Sequence, residues 1–116
     1  MSKKYRILVS DTVIVPVEGK LTDAAGKPVP FKFTLTCKRS DQAQMKEKFD
    51  GKGLVFADFM QEVTTGWAGQ RLVMEEDGET PAEFCADALS ALLNVNGMGL
   101  LCFNAYTAEN GAKAKN

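Results

Sequence analysis

Between residues 13 and 20 the chain alternates with period two: Val13, Val15 and Val17 share one face, Pro16 and Glu18 the other. β-branched residues in strict alternation predict a strand, and Pro16, with no N–H for a ladder, predicts an edge position. Asp23-Ala24-Ala25-Gly26-Lys27-Pro28 carries the residues of a hairpin loop longer than two residues. A second strand follows, in which Phe31, Phe33, Leu35 and Cys37 alternate with Lys32, Thr34, Thr36 and Lys38. Tyr5, Ile7 and Val9 also alternate. They leave two readings, an extension of the first strand or a third strand, with Ser10-Asp11 as an equally good break.

After Lys38-Arg39 the period changes to 3.6. Ser40 or Asp41 is placed to cap a short helix carrying Met45 and Phe49, which Asp50-Gly51-Lys52-Gly53 ends. A second helix is expected over residues 54–63, where Val55, Phe56, Phe59, Met60 and Val63 make one apolar stripe. Thr64-Thr65-Gly66 terminates it, and Trp67 stands where it can fold back onto the stripe. A third helix is expected to start at Thr80-Pro81-Ala82-Glu83, with Thr80 as cap, Pro81 in the first turn and Glu83 closing a capping box. It would run to Leu93 with Phe84, Cys85, Ala88, Leu89, Leu92 and Leu93 on one face, and residues 94–97 would stop it. Residues 98–106 read as a closing helix and 109–116 as a fraying tail.

The expected class is therefore α+β: an N-terminal antiparallel β-hairpin, with a third strand if residues 5–9 pair, followed by three or four helices. One domain spans 1–116, with the hairpin part at about 5–38 and the helical part at about 40–108. At 116 residues such a chain can bury roughly 65% of the surface its unfolded form exposes.

Composition narrows the chemistry. Fourteen Lys and Arg against fifteen Asp and Glu give a net charge of −1, too balanced for affinity built on phosphate neutralisation, so nucleic acid is not an expected partner. The chain has no histidine, which removes Ser–His and Cys–His pairs and the commonest transition-metal ligand. Cys37, Cys85 and Cys102 are widely spaced, with neither zinc nor disulfide patterning, and read as small buried hydrophobes. Ser10, Ser40 and Ser90 lack a nucleophile elbow, and no glycine pattern cradles phosphate. No catalytic residue, metal or cofactor is expected. Lys3, Lys4 and Arg6 precede an apolar patch of only residues 7–9, neither signal peptide nor membrane span, which points to the cytoplasm.

Six carboxylates fall within residues 75–87: Glu75, Glu76, Asp77, Glu79, Glu83 and Asp87. Their spacing is not that of a calcium loop, and a solvated turn beside a helix N-terminus explains them, with a partner-facing acidic edge as the alternative. Trp67, between Gly66 and Gly69, either wedges into the core or anchors a partner.

The order of these parts resembles the tail assembly chaperones of long-tailed bacteriophages and prophages. The resemblance rests on the hairpin, the Lys38-Arg39 exit, the amphipathic helix ending in Val63, Gly66-Trp67-Ala68-Gly69, the Asp77-Gly78 turn and the spacing from Pro81 to Phe84. It implies a non-enzymatic cytoplasmic helper that binds the tape measure protein and helps recruit tail tube subunits. A tape measure exposes apolar helical faces, and a helix stripe could offer a groove for them. The residues available for such contacts are Trp67, Val55, Phe56, Phe59, Met60, Phe84, Leu89 and Leu92. Periodicity alone leaves open which stripe is core and which is groove, and whether copies of the chain associate. The alternative is a structural tail-completion protein that forms rings through its hairpin edge.

Overall fold

The computed structural model describes residues 10–49 and 56–113, together with Tyr5 and Leu8. The architecture is α+β. Strands β1 (Thr12–Thr22) and β2 (Pro28–Lys38) form a long hairpin, followed by α1 (Gln42–Phe49), α2 (Phe56–Val63), β3 (Thr64–Ala68), α3 (Ala86–Leu93) and α4 (Met98–Asn110). The sheet is antiparallel in the order β1-β2-β3.

Among the described residues the third strand comes from later in the chain. Tyr5 and Leu8 adopt no regular structure, and Ile7 and Val9 lie outside the described residues. The strand is Thr64–Ala68, which continues from α2 without a loop and pairs with β2 from Cys37↔Thr64 to Thr34↔Ala68, with an irregularity between Thr36 and Cys37. Its residues, two threonines and a tryptophan among five, suit a pleated half-buried surface, and Thr65 Oγ1 adds a bond to the Thr36 carbonyl at 3.2 Å. The expected second helix lacks a description at residues 54 and 55, and α1 begins where expected. There the Asp41 carboxylate accepts from Gln44 N at 2.8 Å and the Gln44 side chain accepts from Asp41 N at 2.9 Å, a reciprocal cap.

The parity of the hairpin organises the core. At its two ends Arg39 N donates to the Asp11 carbonyl and Asp23 N to the Lys27 carbonyl, in line with the register that pairs Val13 with Cys37 and Leu21 with Val29. Odd-numbered residues of β1 therefore exchange backbone bonds with β2, and even-numbered residues turn their N–H and C=O outward. The odd residues also face the helices: Val15, Val17, Phe33, Leu35 and Cys37 are buried against Phe59, Met60 and Val63 of α2, Leu89, Leu92 and Leu93 of α3, and Met98, Cys102 and Tyr106 of α4.

Helix α4 crosses α2 closely enough that a Cβ on Gly99 would lie 3.0 Å from Ala57 N. At its other end α4 is pinned to the base of the sheet. The Tyr106 hydroxyl donates to the Lys38 carbonyl at 2.8 Å and lies 2.9 Å from Ser40 Oγ, which can donate in return. Asn110 accepts from Ser40 N and donates to the Ser40 carbonyl, and Arg39 donates to the Asn110 carbonyl at 2.8 Å. These bonds carry α4 to Asn110, two residues past the helical part expected from periodicity.

Two of the three cysteines fit the buried reading and one does not. Cys37 and Cys102 are buried, and burial pushes the Cys102 thiol up to about 12, with the neighbouring Cys37 adding to the effect. Cys85 is exposed, because it precedes α3 and its sulfur accepts from Ala88 N at 3.4 Å as the helix cap. Thiol titration of the native protein is expected to read one reactive group per chain, rising to three on denaturation. Gly99→Ala is expected to lower stability by about 1–3 kcal/mol in chemical denaturation, since the obstructing atoms are backbone.

Candidate partner-binding surface

After β3 the chain turns at Gly69, whose φ of 75° is a left-handed conformation that favours glycine. The next residue, Gln70, is almost fully buried and organises the following segment. Its side-chain oxygen accepts from the N–H groups of Leu72 (3.0 Å) and Val73 (2.8 Å), while its Nε2 donates to the carbonyls of Val73 (2.9 Å) and Ala82 (3.2 Å). Residues 73–82 then fold back on themselves. Glu75 N donates to the Thr80 carbonyl, Ala82 N to the Val73 carbonyl, and Met74 bridges to Pro81.

Asp77 closes this small loop. One carboxylate oxygen accepts from the N–H groups of Glu79 and Thr80, both at 2.8 Å, and the other accepts from the Thr80 hydroxyl at 2.7 Å. These bonds, with the Thr80 N–H contributing most, hold the Asp77 carboxyl below its usual range. The acidic stretch is thus a turn with an internal function, its remaining carboxylates exposed. Among the described residues no three His, Cys, Asp or Glu side chains gather to hold a metal.

The same bonds overturn the expected start of the third helix. Thr80 is consumed by Asp77, Pro81 sits in the bridge to Met74, and the extended backbone lets the Ala82 carbonyl accept from both Trp67 Nε1 (3.2 Å) and Gln70 Nε2 (3.2 Å). A helix from Pro81 would draw that carbonyl into its own ladder and leave a buried glutamine amide and the indole N–H without it. α3 begins instead at Ala86.

Trp67 pairs with Leu35 across the sheet and is partly buried at the margin of the core. Its ring meets Phe84 edge to face, with centroids 5.3 Å apart. Trp67, Gly69, Pro81, Ala82, Glu83 and Phe84 line a shallow cleft of about 260 Å³. Of the residues expected to meet a partner, Trp67 and Phe84 are brought together here.

The others separate. Phe59, Met60, Leu89 and Leu92 are at most 1% exposed, because the stripes of α2 and α3 both join the shared core, where these helices pack against each other and α4, so neither stripe is an open groove. Phe56 is half-buried against Phe103 of α4, with centroids 4.7 Å apart, and Val55 lies outside the described residues. Gln70 escaped the reading of the sequence. A lone polar residue after a glycine turn carries little local signal, and its partners lie as far off as Ala82.

A larger cavity, about 890 Å³, opens elsewhere, beside the α4 pin, among Ser10, Lys38, Arg39, Asp41, Gln44 and Asn110. Of its two cations, Lys38 and Arg39, the latter is already committed to the Ser10 and Asn110 carbonyls. Among the described residues no single helix is long and apolar enough to cross a membrane. No protein-family model, curated protein or solved structure matches the chain.

Because the Asp77 carboxyl titrates below its unfolded value, its contribution is complete above the ordinary carboxylate range and is lost as pH falls through the folded value. Trp67 emission, which reports the contact with Ala82, is expected to hold steady down to about pH 4 and shift below it. Asp77→Ala should show the shifted emission already at neutral pH. Identical profiles for the two proteins would remove the carboxylate from the account.

Proposed function

We propose that the protein is a non-enzymatic assembly factor of the bacteriophage or prophage tail, a cytoplasmic chaperone that binds the tape measure protein and helps recruit tail tube subunits. The observation that carries this reading is the connectivity of the residues behind the family resemblance. Trp67 of Gly66-Trp67-Ala68-Gly69, the Asp77-Gly78 turn, Pro81 and Phe84 are not scattered landmarks but one bonded unit, tied through Ala82, Gln70 and Thr80. That unit ends in an aromatic-edged cleft of about 260 Å³. A cleft this small and shallow receives one apolar side chain rather than a cofactor. A tape measure presents such side chains at helical spacing, and many copies bound through one modest anchor each can coat it and still be displaced.

The alternative, a structural tail-completion protein, draws on a different observation. β1 is an edge strand of eleven residues, and its hairpin exposes Ile14, Leu21 and Val29. Association through that edge would serve a ring.

Co-expression with a tape measure fragment separates the two. The chaperone reading expects co-purification with the fragment and absence from finished particles. Phe84→Ala should weaken capture about tenfold or more while leaving the circular dichroism spectrum unchanged, since Phe84 is a peripheral aromatic. Recovery of the protein in stoichiometric amounts from mature tails would replace the first reading with the second.

A further inference from the structure

The hairpin's backbone parity singles out one stretch that is free to pair. On β1 the even-numbered residues turn their N–H and C=O away from β2, so Ile14, Pro16, Glu18, Lys20 and Thr22 line the open edge. Pro16 has no N–H and interrupts that edge. On the other side of the hairpin β3 reaches only to Thr34, and beyond it the outward positions of β2 are Lys32, Pro30 and Pro28, two of which lack a donor. Proline thus blunts the far edge of β2 and divides that of β1 at Pro16, leaving Thr12 and Ile14 on one side. On the other side Glu18, Lys20 and Thr22 form the longer run of outward N–H donors among the described residues.

This remaining stretch is complementary to itself. Antiparallel pairing of two copies about Gly19 sets Glu18 opposite Lys20 of the second copy, and Lys20 opposite its Glu18, so opposite charges meet twice. Because outward-facing residues exchange bonds in such a pair, both Glu18–Lys20 matches are hydrogen-bonded ones. The pairing ends symmetrically: Thr22, the last residue of β1, falls opposite Pro16, whose carbonyl can accept from the Thr22 N–H while its ring stops further growth. Glu18 is available for this. Its contact with Lys32 is long, 3.9 Å, and both side chains are about 70% exposed.

The covered face gains as well. Leu21 and Val29 lie on the apolar side of the hairpin but beyond the helices, at 37% and 49% exposure. With Gly19 at the centre, Leu21 stands beside Val17 of the second copy, whose helical layer extends over the same face. Gly19 itself is covered in each copy by the ring of Phe31 and by Leu101, so no side chain is needed at the crossing point.

We infer that this edge takes a second copy of the chain, forming a two-fold dimer in which β1 pairs with β1 over residues 16–22. The contact is isologous and closes at two copies, unlike the ring of the structural alternative. It does not depend on the tape measure reading. Light scattering after size exclusion of the full chain is expected to give the mass of a dimer. Glu18→Lys and Lys20→Glu each place like charges opposite one another and should weaken dimerisation about tenfold. The double exchange restores the match and the dimer. Glu18→Pro, which extends the pattern already present at Pro16, should give a folded monomer. A monomer at every concentration, or a dimer indifferent to all four variants, would overturn the inference.

Discussion

The backbone parity of the β1–β2 hairpin sets which side chains meet the helices and which amides face outward. One alternation does both, since residues that bond across the hairpin are also those whose side chains lie on its covered face. Val15, Val17, Phe33, Leu35 and Cys37 become core by that rule, and a slip of one residue would bury Pro16, Lys32 and the threonines in their place. The prolines obey the same constraint. Pro16, Pro28 and Pro30 all occupy even positions, where a missing N–H costs the hairpin no bond.

Onto this platform α2 and α3 fit with their apolar stripes turned into the core. α2 passes directly into β3, which fixes Phe59, Met60 and Val63 over the sheet, and α4 is held at one end by the Gly99–Ala57 crossing and at the other by Tyr106 and Asn110. The pin uses a single phenolic proton with several acceptors around it, so its strength comes from geometry and burial rather than from the number of neighbours. Because α2 and α3 spend their stripes on the core, surface for a partner comes from the margins: the Trp67–Phe84 cleft and the edge of β1.

Those margins differ in chemistry. The cleft is aromatic, small and bounded by a turn whose carboxylate is occupied by backbone N–H groups, so it offers shape more than charge. The β1 edge is a backbone surface whose selectivity comes from Glu18, Lys20 and the placement of prolines. They lie on opposite margins of the sheet, β3 and β1, and so a chain paired through one retains the other.

The sequence by itself determined what repeats locally. Alternation wrote the hairpin and its faces, Ser40-Asp41 marked the start of α1, and stripes wrote the apolar faces of α2 and α3, because each depends on neighbours a few residues away. The tertiary structure decided where local signals compete. Thr80-Pro81-Ala82-Glu83 is a sound helix start in isolation, but Asp77, Gln70 and Trp67 claim its hydroxyl, N–H and carbonyl first, and partial burial makes the bonds to the Ala82 carbonyl costly to forgo. Likewise Thr64–Ala68 becomes a strand only because β2 lies beside it, and Cys85 becomes a cap rather than core only because the helix starts after it. Period and spacing carry no record of such distant partners.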